Sequence, residues 1–316
     1  CKALFEEFTE RLVGKRYELP SITQELPPGV RREEDEVRLA EEAQRRGMEA
    51  DDEFCRGYLH RRFVAHRWAE ALKELRDYAF GLKFPLAFSA NNHLFPFVND
   101  LCNVLYSQDT RPPGPKWSNI PLLRYLAADS DGWKTVVTNH ALQGSDPRLS
   151  MAEAIAFQSY PYGINHKPYN LFYQGHPELF TDVEPLARIG VILEWPRRRP
   201  NYLQPLGMSN LLYEVIVLDK WQRADLSKYK VILLPDLEAV GDELLDALRA
   251  FAVNGGTVIA TGTSTLYDEF GRRRKEPLEQ SGEQVGPDSR LEAELVERIR
   301  RASDPQYVEV DAPPLV

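Results

Sequence analysis

Three short polar clusters interrupt apolar stretches in the first half of the chain: Ala90-Asn91-Asn92-His93, Ser107-Gln108-Asp109 and Asn139-His140. Each follows a run that reads as a strand, namely Leu86–Ser89, Leu101–Tyr106 and Thr135–Thr138. Amides and imidazoles donate and accept hydrogen bonds at once, so these clusters suit a ligand rich in hydroxyl groups. Asp109 is the only carboxylate among them, and with His140 it is the candidate for acid–base work. Tyr160 and Tyr162, in Tyr160-Pro161-Tyr162-Gly163, offer ring faces on which an apolar ligand surface can stack, as do Trp117 and Trp133. The bland alternatives are specific. An Asn pair at a strand end is often turn chemistry. A lone histidine is more often a satisfied structural group. A tyrosine pair is more often core or subunit contact.

The elements that would position these residues alternate. Helical patterns at Ser118–Ala128 and Ser150–Gln158 separate or follow the strands, and parallel α/β folds gather ligands at the C-terminal ends of their strands. Upstream, Phe5, Phe8, Leu12 and Val13 mark an opening helix closed by Gly14. A proline-containing loop over Tyr17–Val30 precedes the Glu/Arg-rich stretch Arg31–Arg46, which reads as a solvated helix. Phe54–Phe80 reads as a long amphipathic helix, with Tyr58, Leu59, Phe63, Trp68, Leu72, Leu75 and Tyr78 on its apolar side. Leu171–Phe180 reads as a further helix.

The second half is clearer. Val231–Leu234 is a buried strand stopped by Pro235. Asp242 stands at the N-cap or in the first turn of a helix whose apolar face is Leu244, Leu245, Leu248 and Phe251. Asn254-Gly255-Gly256 ends it, and Thr257–Thr261 is a second buried strand. This is a βαβ unit of a parallel sheet, preceded by strands at Ile189–Glu194 and Val215–Val217. Leu291–Ile299 predicts a last helix and Tyr307–Val310 a last strand. Two α/β domains are expected, 1–185 and 186–316.

Composition excludes several classes. The net charge of −9 over 316 residues is unlike the basic face of a nucleic-acid binder. No apolar run reaches the ~18–20 residues of a membrane span. Cys1, Cys55 and Cys102 lack CxxC spacing and read as free thiols in a reducing cytosol. The histidines show neither HxH nor HExxH spacing, so no metal and no cofactor is expected. With no Cys after Cys102 and no His after His176, the second half cannot supply a glutaminase Cys-His-Glu set. Gly255-Gly256 and Thr261-Gly262-Thr263 match no phosphate-binding fingerprint.

The segment order carries a resemblance. From RIGVILEW through KYKVILLPDLEAVGDELLDALRAFAVNGGTVIATG to DEFG, the second half resembles the β-galactosidase trimerisation domain, a flavodoxin-like relative of the class I glutamine amidotransferases. In the first half, CKALFEEF, YLHRRF, WAEALKELRDYA, SANNH and MAEAIAFQSYPYG resemble the later part of a glycoside hydrolase family 42 barrel. The resemblance implies a partial (β/α)8 TIM-type barrel followed by a flavodoxin-like parallel-sheet domain, hydrolysis of a β-linked sugar, and a homo-oligomer, a trimer. It places the acid/base glutamate upstream of Cys1. At the seventh strand end, where a nucleophilic glutamate is implied, this sequence has Asn139-His140; on the sixth it has Asn103 and Gln108. A retaining glycosidase needs two carboxyl groups ~5 Å apart, so a non-catalytic carbohydrate-binding or assembly protein is the rival. Asn91, Asn92, His93, Gln108, Asn139, Tyr160 and Tyr162 would then hold sugar hydroxyls and ring faces.

Overall fold

The computed structural model describes residues 2–18, 50–83, 89–91, 99–109, 120–130, 135–139, 147–162, 167–180, 186–194, 203–237, 239–278 and 293–303. The expected elements at 31–46 and 307–310 lie outside the described residues, as do Trp117 and Trp133. In chain order the elements are α1 (Lys2–Val13), α2 (Ala50–Gly81), β1 (Ser89–Asn91), β2 (Val104–Asp109), α3 (Ile120–Ser130), β3 (Thr135–Asn139), α4 (Pro147–Ala156), β4 (Ser159–Tyr162) and α5 (Lys167–Gly175). The second half follows with β5 (Ile189–Leu193), α6 (Gln204–Met208), β6 (Tyr213–Val217), β7 (Val231–Pro235), α7 (Asp242–Val253), β8 (Thr257–Thr261) and α8 (Ala293–Ser303).

The strands form two parallel four-stranded sheets, ordered β1-β2-β3-β4 and β6-β5-β7-β8. The second sheet is buried on both faces, and its alternation sorts the core into two layers. Val191, Leu193, Val215, Val217 and Leu233 face a layer built by α3, α6 and α8, through Tyr125, Leu206, Val296 and Ile299. Ile192, Ile216, Ile232 and Leu234 face α7, through Leu244, Leu248 and Phe251. α7 starts after Gly241, so Asp242 is a first-turn carboxylate, and it ends at Asn254 with Gly255 left-handed.

α3 serves both sheets. Its Leu126 packs with Cys102 and Leu105 beside the first sheet, while Tyr125 joins the core of the second. α2 behaves differently from its expected single apolar side. Phe54, Cys55, Tyr58, Leu59 and Phe63 pack with Phe5 of α1 and with Ala239 and Tyr267 of the second half. Trp68, Leu75 and Tyr78 are exposed, Tyr78 by 70%. At 3.6 residues per turn these later residues fall on the opposite side of the helix, so two half-length faces replace one continuous stripe.

Three strand ends also differ from expectation. Ser107, Gln108 and Asp109 are the last three residues of β2 rather than a loop after it, and Asn91 and Asn139 close β1 and β3. Backbone pairing is indifferent to side-chain polarity, and the pairs Gln108↔Thr138 and Asp109↔Asn139 extend the ladder through these polar positions. The expected helix over 171–180 begins earlier, at Lys167, and gives way at Gly175 to a 3₁₀ turn over Pro177–Leu179.

Candidate functional site

The described candidates lie on the four strands of the first sheet, with Asn91, Asp109, Asn139 and Tyr162 the last residues of β1, β2, β3 and β4. Register sorts them into rows. Asn91 pairs with Tyr106, Tyr106 with Val136, and Val136 with Tyr160. Two residues further on, Gln108 pairs with Thr138 and Thr138 with Tyr162. Asp109 and Asn139 pair with each other one step beyond that. Asn92, His93 and His140 lie outside the described residues.

Strand alternation divides these positions. Leu105 and Ser159 share the parity of Asp109 and Asn139; both are buried, Leu105 against Leu126 of α3. Tyr160, one residue after Ser159, is 49% exposed. Asn91, Gln108 and Tyr162 stand at the parity of Tyr160. Four candidates therefore share one register parity and two share the other, a division that spacing within single strands does not reveal.

The corresponding edge of the second sheet is closed by its own side chains. Asp236, left-handed at the end of β7, accepts hydrogen bonds from Thr263 N at 2.7 Å and Thr263 Oγ1 at 2.9 Å. Gly262, also left-handed, lets that carboxylate approach; a Cβ there would collide with it. Ser264 Oγ donates to Leu234 O and accepts from Leu237 N. Asp268 ties the next loop through Phe270 N, Arg272 N and Arg272 Nε. α2 then covers this edge: Phe54 stacks on Tyr267 at 3.9 Å, and the buried Cys55 thiol donates to Phe270 O. Arg62 reaches Asp219, just past β6, at 3.6 Å and donates to Tyr58 Oη. Burial, reinforced by the Glu194 charge, pushes the Tyr58 phenol far above its ordinary range. Among the described residues no group of three His, Cys, Asp or Glu is placed to hold a metal ion.

Two polar joints between the halves had no signal in the sequence. Lys220, buried in the 3₁₀ turn after β6, places Nζ 2.6 Å from Asp129 Oδ1 and 2.7 Å from Asp100 Oδ1, and donates to Asp129 O. Asn99 Nδ2 donates to Asp129 Oδ2 at 2.5 Å. Arg124 of α3 lies between the rings of Phe157 and Tyr213, 4.8 and 4.6 Å from their centroids, and donates to Tyr213 O. Its burial lowers the guanidinium pKa.

The second half, with its closed strand-end edge, has a recognisable relative. Residues 215–279 match the β-galactosidase trimerisation domain. That stretch runs from β6 through β8 to the 267–274 loop. No curated protein matches the sequence. Solved structures similar to the chain include the β-galactosidase from Rahnella sp. R3, at 15% identity and a TM-score of 0.51 over 70% of this chain and 43% of that one. Another is the β-galactosidase from Bacillus circulans sp. alkalophilus, at 15% identity and a TM-score of 0.49 over 70% and 42%. A third is that from the haloarchaeon Halorubrum lacusprofundi, at 12% identity and a TM-score of 0.47 over 71% and 44%. The chain spans less than half the length of these structures. The fold is that of a partial TIM-type barrel followed by a parallel-sheet module containing the trimerisation-domain match.

Proposed function

We propose that this chain is part of a β-galactosidase-like glycoside hydrolase that cleaves a β-linked sugar. The observation that carries the reading is the order of parts, a parallel βα arc followed by a module matching the β-galactosidase trimerisation domain. In this reading residues 1–185 belong to the barrel and 186–316 to the second domain, which mediates assembly into a homotrimer. The protein works in the cytoplasm, without a cofactor.

The proposed sugar-holding positions are Asn91, Gln108, Tyr160 and Tyr162, with Asn92 and His93 following the end of β1. An amide at a strand end can donate to one hydroxyl and accept from the next, and a tyrosine ring covers the C–H face of a pyranose. Asp109 at the end of β2 and His140, next in sequence after Asn139, are the acid–base candidates, with Asn139, which pairs with Asp109, as a hydroxyl binder. A two-carboxylate mechanism requires a partner for Asp109, and this sequence range supplies amides at the neighbouring strand ends. The resemblance to the family 42 barrel assigns the acid/base glutamate to a segment upstream of Cys1.

Those amides favour a second reading, a protein that binds carbohydrate without turning it over. Both are tested on the full-length protein with a panel of aryl β-glycosides. Release of the aryl group supports the hydrolase. Calorimetric sugar binding without release supports the binder, and neither binding nor release removes both.

A further inference from the structure

We infer that an exposed apolar stripe along the later part of α2 pairs, antiparallel, with the same stripe of a second copy of this chain. Val64, Trp68, Ala71, Leu75 and Tyr78 are exposed, as is Leu82 in the turn that follows the helix. Scattered exposed apolar residues are ordinary, but these recur at alternating intervals of four and three residues. That is the 3.5-residue repeat by which one helix meets another, the a and d positions of a heptad. A small ligand or a sheet would call for no such period.

The stripe is complementary to itself. In an antiparallel pair each a residue faces a d residue, and the two-fold axis repeats every contact in both directions. One register sets the large Trp68 ring over the partner's small Ala71, and Leu75 over the partner's Val64. The same register brings Arg67 beside the partner's Glu74, and Glu74 beside the partner's Arg67, at the g positions whose charges set partner choice and orientation. It also brings Tyr78 against the partner's Arg61, a cation facing a ring. A parallel pair would instead oppose Arg67 to the partner's Leu72 and Glu74 to the partner's Ala79, and would gain no ion pair. Arg67 meets Glu70 on its own helix, but both side chains are more than half exposed, and a contact so screened adds too little to hold the guanidinium there. The other flank carries Ala65, Leu72 and Ala79, so no like charges meet along it. The seam is only about two and a half heptads long, which makes the pairing weak and dependent on concentration.

The test is sedimentation of the full-length protein over a concentration series. The mass is expected to rise toward twice its dilute value, whatever assembly the second domain makes, so the result is separate from the proposed trimer. Trp68→Asp is expected to abolish the rise. Because the ring is 58% exposed in the single chain, the same change should leave the urea midpoint of the dilute protein where it was. Arg67→Glu and Glu74→Arg each set like charges at both ion-pair contacts, and each should raise the concentration for half-association about tenfold. An equimolar mixture of these two variants should restore it, since every contact between them then joins opposite charges. A mass that does not rise, a rise that survives Trp68→Asp, or a mixture no better than its parts would overturn the inference. A lowered urea midpoint in dilute Trp68→Asp would overturn it as well, by giving the stripe to another segment of the same chain.

Discussion

The Lys220 ammonium sits against two carboxylates and a main-chain carbonyl at a joint between the two sheets, and the side chain of Asp129 is wholly buried there. The half-exposed Asp100 contributes little, because solvent screens it. Removing the cation strands the Asp129 charge inside the protein. Lys220→Met is therefore expected to cost about 3–5 kcal/mol, read as a lower midpoint in urea. Adding Asp129→Asn should recover part of that loss, since the amide keeps an acceptor for Asn99 and carries no charge. An unchanged midpoint in Lys220→Met would show that the pair does not hold the joint. Nothing in the sequence pointed to Lys220 or Arg124. A single charged residue has no periodicity, and the partner of Lys220 lies 91 residues away.

At the scale of elements, the βαβ unit from β7 through α7 to β8 was legible because each part carries its own signal. Two runs of branched residues flank four apolar residues at helical spacing, and all four are buried. The first sheet was less legible at its strand ends, where polar residues continue the backbone ladder and hydropathy falls silent. α2 was half legible. Its length and amphipathic character were readable, but that Phe54, Cys55, Tyr58, Leu59 and Phe63 are packed while Trp68, Leu75 and Tyr78 stay exposed depends on where α1 and the 267–271 loop lie. Two histidines on α2 give this packing a pH dependence. His60 meets Phe5 edge-on with centroids 5.5 Å apart, His66 lies beside Phe8, and burial lowers both pKa values. An unfolded histidine titrates near ~6.5, so below that pH the unfolded chain binds more protons than the folded one. Stability conferred by the neutral rings is complete above this range and is lost as pH falls through it. Melting temperature should drop between about pH 7.5 and pH 5.5, and His60→Gln/His66→Gln should show a smaller drop. Equal slopes in the two proteins would mean that these rings are indifferent to folding.

For the whole molecule, assembly is the property most open to measurement. Light scattering on the full-length protein should give three times the mass of one full-length chain, and a monomeric mass would remove the trimer. The two sheets are not independent bodies joined by a tether. α3 contributes Leu126 to one core and Tyr125 to the other, and Arg124 bridges Phe157 and Tyr213. This shared helix limits any transplant of the C-terminal half onto another enzyme. A graft beginning at residue 186 would leave behind the helix that roofs Tyr213, Val215 and Val217, and would present a bare greasy wall to its new host. A usable donor piece must bring residues 120–130 with it or have that wall repainted with polar side chains.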